Sequence, residues 1–337
     1  MLRLPRYRYV RPDTLEEALG ALHGERGRAM PIAGGTDLVP NLKHRLFEPE
    51  RLVSLRGIRE LRGVTSGDGV LRVGAMERLA DVAAHPDVRR HAPGLAQAAG
   101  QVAGPQLRNM GTLGGNICLD TRCTYYNQTF FWRQALGFCL KKDGDACHVT
   151  KVGRKCVAAH SADTPGALMV LEAEIELVGP AGARRVPAAD FFVADGIWNT
   201  VRAADELVTG VRLPLRPRRR SAYRKLRQRA SIDFPLLSVA VAADLQEDGT
   251  VTRIGIVVSA LGARPRVLTG LEDIAVGRRF TDEVVQALAE RAEAQCRPLT
   301  NITVDPAWRR AMVPVQVRRA LQGLSDPGGS GSPGREA

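Results

Sequence analysis

The stretch from Ala29 to Leu46, "AMPIAGGTDLVPNLKHRL", decides how the chain is read. "AMPIAGG" reads as a buried strand running into a glycine turn at Gly34–Gly35, and "DLVPNLKHRL" predicts a helix after it. Glycines at such a junction let backbone N–H groups approach phosphate oxygens closely, and Thr36 adds a hydroxyl donor. A second loop of this kind follows at Gly111-Thr112-Leu113-Gly114-Gly115-Asn116. Either loop alone reads better as a tight turn; together they equally suit a pyrophosphate gripped from both sides. The one G-x-G-x-x-G match, at Gly329, Gly331 and Gly334, lies in a low-complexity tail with no strand before it or helix after it, so a Rossmann fold is not supported.

Outward from these loops the pattern is mixed. Thr14 and Glu17 have capping-box spacing before the short helix "EALGALH". "RLVSL" and "VLRVGA" read as strands, and residues 78–104 as mostly helix broken at Pro86 and Pro93. "ALMVLEAEIELVG" alternates as a strand would, and "DELVTGVRLP" predicts another. The C-terminal half reads as α+β, with two strands around a turn at Asp248–Gly249 and then two helices, "TDEVVQALAERAEAQC" and "DPAWRRAMVPVQVRRALQGL".

At 337 residues the chain is long enough for two or three domains. No apolar run reaches membrane-spanning length and the start has no apolar signal-peptide core, so a cytoplasmic location without membrane contact is expected. The formal charge is +12, and Arg212 to Arg229 holds nine basic residues and no acidic one. Such a run can bind nucleic acid by counterion release, but it interleaves with Pro214 and Pro217 and carries no nucleic-acid-binding motif. A solvated linker, or a surface facing an acidic subunit, is the better reading, with no nucleic-acid partner.

Four of the six cysteines, Cys123, Cys139, Cys147 and Cys156, fall in one aromatic and basic stretch, separated by fifteen, seven and eight residues. In a cytosolic chain clustered cysteines point to metal more than to disulfides. Structural zinc usually uses a short C-x₂₋₄-C pair, and none is present here. Wide spacing suits a larger iron–sulfur cluster, and six basic residues against two acidic ones would offset its negative charge. From the residues alone, iron–sulfur, zinc and unliganded thiols stay open. His148 is a weaker ligand candidate, and Cys118 and Cys296 read as buried small hydrophobes. No Ser–His–Asp or paired-carboxylate arrangement stands out, so no catalytic residue is assigned.

"PIAGGTDLVPNLK", "RNMGTLGGNIC", "SADTPGALMVLEAEIEL", "DFFVADGIWNTVRAADELVTGVRLP" and "YRKLRQRASIDFPLLSVAVA" resemble the FAD-binding medium subunit of the molybdenum hydroxylases, the group of xanthine dehydrogenase and carbon monoxide dehydrogenase. The resemblance covers residues 3–323. It implies an α+β chain: a two-part FAD-binding domain over 1–217, a carbon monoxide dehydrogenase flavoprotein-like C-terminal domain over 218–323, and a disordered tail over 324–337. It also implies that Ile32, Ala33, Gly34, Gly35, Thr36, Asp37, Leu38 and Val39, with Thr112, Leu113, Gly114, Gly115 and Asn116, hold the FAD pyrophosphate. Asp163 would meet the ribityl or flavin region and Lys225 the flavin or adenine end; the bland alternatives are a helix N-cap and one more charge in a basic run. Val102, where relatives place an aromatic residue, and Trp308, where they place a tyrosine, depart from the pattern.

In most of these subunits the GGN loop leads almost directly to the S-x-D-x-P segment. Here residues 119–157 come between and hold the four clustered cysteines. Such an insertion resembles the β subunit of 4-hydroxybenzoyl-CoA reductase, where it carries a [4Fe–4S] cluster, which implies Cys123, Cys139, Cys147 and Cys156 as ligands. The implied partners are a molybdopterin-binding large subunit and a small subunit with two [2Fe–2S] clusters, two copies of each chain assembling, with reduced ferredoxin as electron donor. Electrons would pass through FAD toward molybdenum, where 4-hydroxybenzoyl-CoA is reduced to benzoyl-CoA. The alternatives are an FAD subunit working oxidatively on another aromatic substrate, and a zinc-stapled binding protein without flavin.

Overall fold

The glycine turn at Gly34–Gly35 leaves a small parallel sheet. The computed structural model describes residues 2–24, 27–151 and 153–325. The first body runs β1 (Arg8–Val10), α1 (Leu15–His23), β2 (Ala29–Ile32), α2 (Leu38–Lys43) and β3 (Arg51–Ser54), with β3 paired between β1 and β2. Thr14 caps α1 by accepting from the Glu17 N–H, while the Glu17 carboxylate reaches back to the Asp13 N–H. Helix α2 is shorter than its sequence suggests. Arg45 takes the left-handed conformation (φ 55°) and the Leu46 N–H closes on Asn41 O, a C-terminal stop usually built on glycine.

The second body runs β4 (Val64–Gly67), β5 (Val70–Gly74), α3 (Leu79–Ala84), α4 (Pro86–His91), α5 (Pro93–Gly100), α6 (Pro105–Arg108), α7 (Leu113–Ile117), α8 (Phe130–Ala135), α9 (Thr164–Val170), β6 (Glu174–Gly179), β7 (Gly182–Pro187), α10 (Ala188–Phe191) and β8 (Leu207–Pro214). Its antiparallel sheet has the order β4-β5-β8-β6-β7. Pro86 and Pro93 each open a helix, where a missing N–H costs nothing. The strand expected over "ALMVLEAEIELVG" is half wrong: residues up to Val170 belong to α9, and the strand begins at Glu174. Every residue of α9 is buried, so no polar face marks the helical period.

The third body is β9 (Arg219–Leu226), β10 (Leu237–Leu245), β11 (Val251–Ser259), β12 (Arg266–Val267), α11 (Glu272–Ala275), α12 (Asp282–Gln295) and α13 (Pro306–Ser325). Its antiparallel sheet, β12-β11-β10-β9, is buried on both faces. Leu237, Val239 and Val241 pack with α12 and α13 into one core, while Ala240 and Ala242 join the core that contains α9 and α5. Small residues on the second face let α9 lie close. Helix α13 takes in residues 324 and 325 of the expected tail; the remainder, with the glycine match at 329–334, lies outside the described residues.

The basic run is not a solvated linker, because it forms the end of β8, a turn and β9. Arg216 and Arg219 both bond Glu172 (2.6 and 3.2 Å) and Asp244 (3.3 and 2.7 Å). Arg212 pairs with Glu176, Lys225 with Asp163 and Arg229 with Asp233, while Arg220, Arg224 and Arg227 donate to backbone carbonyls. The contacts of Arg216, Arg219, Lys225 and Arg227 join the second and third bodies. Among the described residues no helix is long and apolar enough to cross a membrane.

Candidate functional site

The two glycine loops pack against each other. A Cβ on Gly34 would lie 2.0 Å from the carbonyl oxygen of Met110 and 2.9 Å from the Cα of Gly111, so only glycine admits the second loop here. Beside this junction opens a cavity of about 430 Å³. Ile32 to Leu38, Thr112, Gly114, Gly115 and Asn116 line it, with Asp163 deeper inside. Val39, Leu113 and Lys225 stand behind this wall: Leu113 is a core residue, and the Lys225 side chain is fully buried against Asp163. Val102 is on the cavity wall, whereas Trp308 is exposed at the start of α13.

Several expected ligands are tied to the protein. Thr112 caps α7 by accepting from the Gly115 N–H (3.1 Å), which leaves its own hydroxyl hydrogen to donate. Asn116 Oδ1 accepts from the N–H and hydroxyl of Thr164 (3.0 and 2.7 Å), locking the second loop to α9. The Asp37 carboxylate accepts from Asn41 Nδ2 (3.0 Å) and from Arg122. Arg122, which the sequence reading missed, lines the cavity and lies 4.3 Å over the ring of Phe234. Burial pulls its guanidinium down to about 10. Nothing local distinguished it among the many arginines of the chain.

Asp163 occupies the N-cap position of α9 but makes no side-chain cap bond. Its oxygens accept from the Tyr223 hydroxyl (2.6 Å) and from Lys225 Nζ (2.9 Å), and Lys225 also donates to Gln101 O (3.0 Å). Burial pushes the Asp163 carboxyl up and the Lys225 ammonium down, so their proton affinities are drawn together beside the cavity. Tyr223 was also missed, since the partners come from 60 residues apart. Removing one member of a buried pair strands the other. Lys225→Met is therefore expected to lower stability by about 3 kcal/mol, read as a shifted urea midpoint, while a surface change such as Arg279→Met leaves it in place.

A second, smaller cavity of about 20 Å³ is bordered by Cys123, Cys139, Cys147 and Cys156, all buried, with Tyr126, Lys141 and His148. Burial raises the Cys123 thiol to about 11, and the other three cysteines add to that rise. Burial likewise raises Cys156. At Cys147 burial is outweighed by hydrogen bonds from Thr150, Val149 and Val157, and the thiol falls below its usual value. Four buried cysteines from one loop thus border one small cavity, the grouping their spacing suggested. Among the described residues, no three His, Cys, Asp or Glu side chains meet on a point that would hold a single metal ion. His148 turns Nε2 to the carbonyl of Phe138. Cys296 is buried as expected, but Cys118 is exposed on the wall of the large cavity, which corrects the reading of it as a core residue.

Three buried side chains fasten the cysteine loop. Arg133 donates to the carbonyls of His44 and Arg45 (3.3 and 3.2 Å), just beyond the C-terminal end of α2. Asn301 Nδ2 donates to Val157 O (2.7 Å), and Asn301 O accepts from the Thr124 N–H (2.9 Å), so one residue holds the neighbours of Cys123 and Cys156. Lys141, one of the six basic residues of the loop, is inside: Nζ bonds Asp120 (2.6 Å), Thr121 and Gly196 O. The exposed basic residues of the loop are Lys151, Arg154 and Lys155.

Comparison with known proteins agrees with this geometry. Residues 5–216 match the model of the FAD binding domain in molybdopterin dehydrogenase, and residues 221–324 that of the CO dehydrogenase flavoprotein C-terminal domain. The chain is 31% identical over 323 residues to the carbon monoxide dehydrogenase medium chain of Hydrogenophaga pseudoflava, covering 94% of this chain and 96% of that one. It is 35% identical over 254 residues to the aldehyde oxidoreductase FAD-binding subunit PaoB of Escherichia coli, covering 72% and 79%. A solved structure of carbon monoxide dehydrogenase from Hydrogenophaga pseudoflava superposes with a TM-score of 0.77 at 30% identity, over 96% of this chain and 98% of that one. The paired glycine loops and their cavity fit the pyrophosphate and flavin that this domain is named for. The chain belongs to the FAD-binding medium subunits of the molybdenum hydroxylase family.

Proposed function

We propose that the chain is the electron-transfer subunit of a 4-hydroxybenzoyl-CoA reductase, carrying a [4Fe–4S] cluster in addition to FAD. The observation that carries this reading is the second cavity, which four buried cysteines from one loop border together. Cys123, Cys139, Cys147 and Cys156 would hold the cluster; Ile32 to Leu38, Thr112 and Gly114 to Asn116 would hold FAD, with Asp163 toward its flavin end. A lone structural zinc ion usually draws on a short C-x₂₋₄-C pair, which this loop lacks. FAD supplies two-electron and one-electron chemistry in one molecule, which suits a relay. The protein's part is to fix its position and exclude water.

The molybdopterin subunit, the small [2Fe–2S] subunit and the substrate site lie on partner chains in this reading. Reduced ferredoxin would deliver electrons at the cysteine loop, where Lys151, Arg154 and Lys155 give an acidic carrier an exposed basic contact. Likeness to the medium chain of carbon monoxide dehydrogenase favours a second reading, an FAD subunit working in the oxidative direction. The first test is composition. The purified chain is expected to be yellow-brown, with one FAD and about four irons per chain. One zinc and no iron would overturn the cluster and leave the flavin assignment standing. Co-purification of a molybdopterin subunit that reduces 4-hydroxybenzoyl-CoA, or does not, separates the two readings.

A further inference from the structure

Lys141 joins the two cavities. It borders the small one, and its partner Asp120 borders the large one. Its side chain is 4% exposed, and Nζ reaches Asp120 Oδ1 at 2.6 Å, Thr121 Oγ1 at 2.5 Å and Gly196 O at 2.7 Å, with the Tyr126 ring 4.4 Å away. Gly196 in turn donates its N–H to Cys156 O (2.8 Å), and a Cβ there would come within 2.7 Å of the Cys156 sulfur. The ammonium is thus one glycine away from a cysteine of the loop.

A neutral donor can fasten a loop to carbonyl oxygens without the several kcal/mol that taking a charge out of water costs. A buried cation does something a neutral pin does not: its field reaches a neighbouring centre with little screening. A centre that gains negative charge on reduction is then easier to reduce, and net charge around an iron–sulfur centre is one of the terms that set its potential.

We propose that Lys141 is a positioning residue for electron transfer: held by Asp120 between the cysteine loop and the flavin cavity, its fixed positive charge raises the reduction potential of the metal centre. This rests on the reading of the cysteine loop as a cluster site. No bond or proton changes at Lys141; it acts as a charge.

The test is a potentiometric titration, followed by EPR, of the holo-chain and of Lys141→Met, Lys141→Arg and Asp120→Asn, each assayed first for iron and FAD. At a fixed potential the reduced-to-oxidised ratio of the metal centre is expected to fall at least tenfold in Lys141→Met, about 59 mV for a one-electron couple. Lys141→Arg should stay within threefold of wild type, and Asp120→Asn should move the ratio the other way. Lys141→Met that keeps iron and FAD with an unmoved potential overturns the assignment. If Lys141→Met loses its iron, Asp120→Asn decides: a raised potential supports the proposal and an unmoved one overturns it. A wild-type chain without iron overturns the cluster reading itself, a separate outcome seen before any titration.

Discussion

Gly34→Ala is expected to strip the chain of FAD. The added methyl would meet Met110 O at 2.0 Å, Met110 C at 2.7 Å and Gly111 Cα at 2.9 Å, all backbone atoms that no side-chain rotation can clear. The two loops must therefore part, and the wall they share opens along the cavity. Asn116 resists this movement, because its side chain ties the second loop to Thr164 at the start of the fully buried α9. Strain of this kind belongs with the large single-site effects, on the order of 5 kcal/mol. FAD affinity should fall about 100-fold or more, measured by flavin fluorescence on titration of deflavinated protein. Retention of stoichiometric FAD through gel filtration, at an unchanged urea midpoint, would show that the loops do not meet as described.

Cys139→Ser is the second large effect, and it acts on the other cavity. The substitution removes one of four thiols that border the cavity and leaves a hydroxyl that ligates iron poorly. On the proposed cluster reading, iron should drop from about four to fewer than one per chain, with loss of ferredoxin-driven turnover. FAD should remain, because the glycine loops and the Asp163–Lys225–Tyr223 cluster lie outside the cysteine loop and keep their bonds. Arg122 and Arg133, which brace α2, do not depend on the missing sulfur either. Unchanged iron in both Cys139→Ser and Cys139→Ala would remove Cys139 from the ligand set.

The glycine loops that line the large cavity were legible because the pattern is local: a strand, two glycines and a threonine within a few residues. The four cysteines were legible as a group for the same reason. What they enclose was not, since a thiol count does not fix how the sulfurs face one another. Helix α9 was misread because burial on all sides erases the periodicity that separates helix from strand. The basic run was misread because its carboxylates, Glu172, Glu176 and Asp244, come from other strands and turns. Lys141, Arg133 and Tyr223 take their roles from partners 21, 89 and 60 positions away. No pattern along the chain announces such pairs.

The attachment of the cysteine loop to Asn301 bears on how the chain is made. Val157 and its anchor are 144 positions apart. At about 5–20 residues per second, a ribosome needs on the order of ten seconds between them. All four thiols therefore leave the ribosome before the residue that fastens the neighbours of Cys123 and Cys156 has been synthesised. During that interval Thr164, which locks the second glycine loop through Asn116, and Thr209, which bonds Ala75 beside it, are made. The large cavity can close within that interval, because its lining runs from Met30 to Phe234. The cysteine-lined pocket must wait longer, until Asn301 has been made.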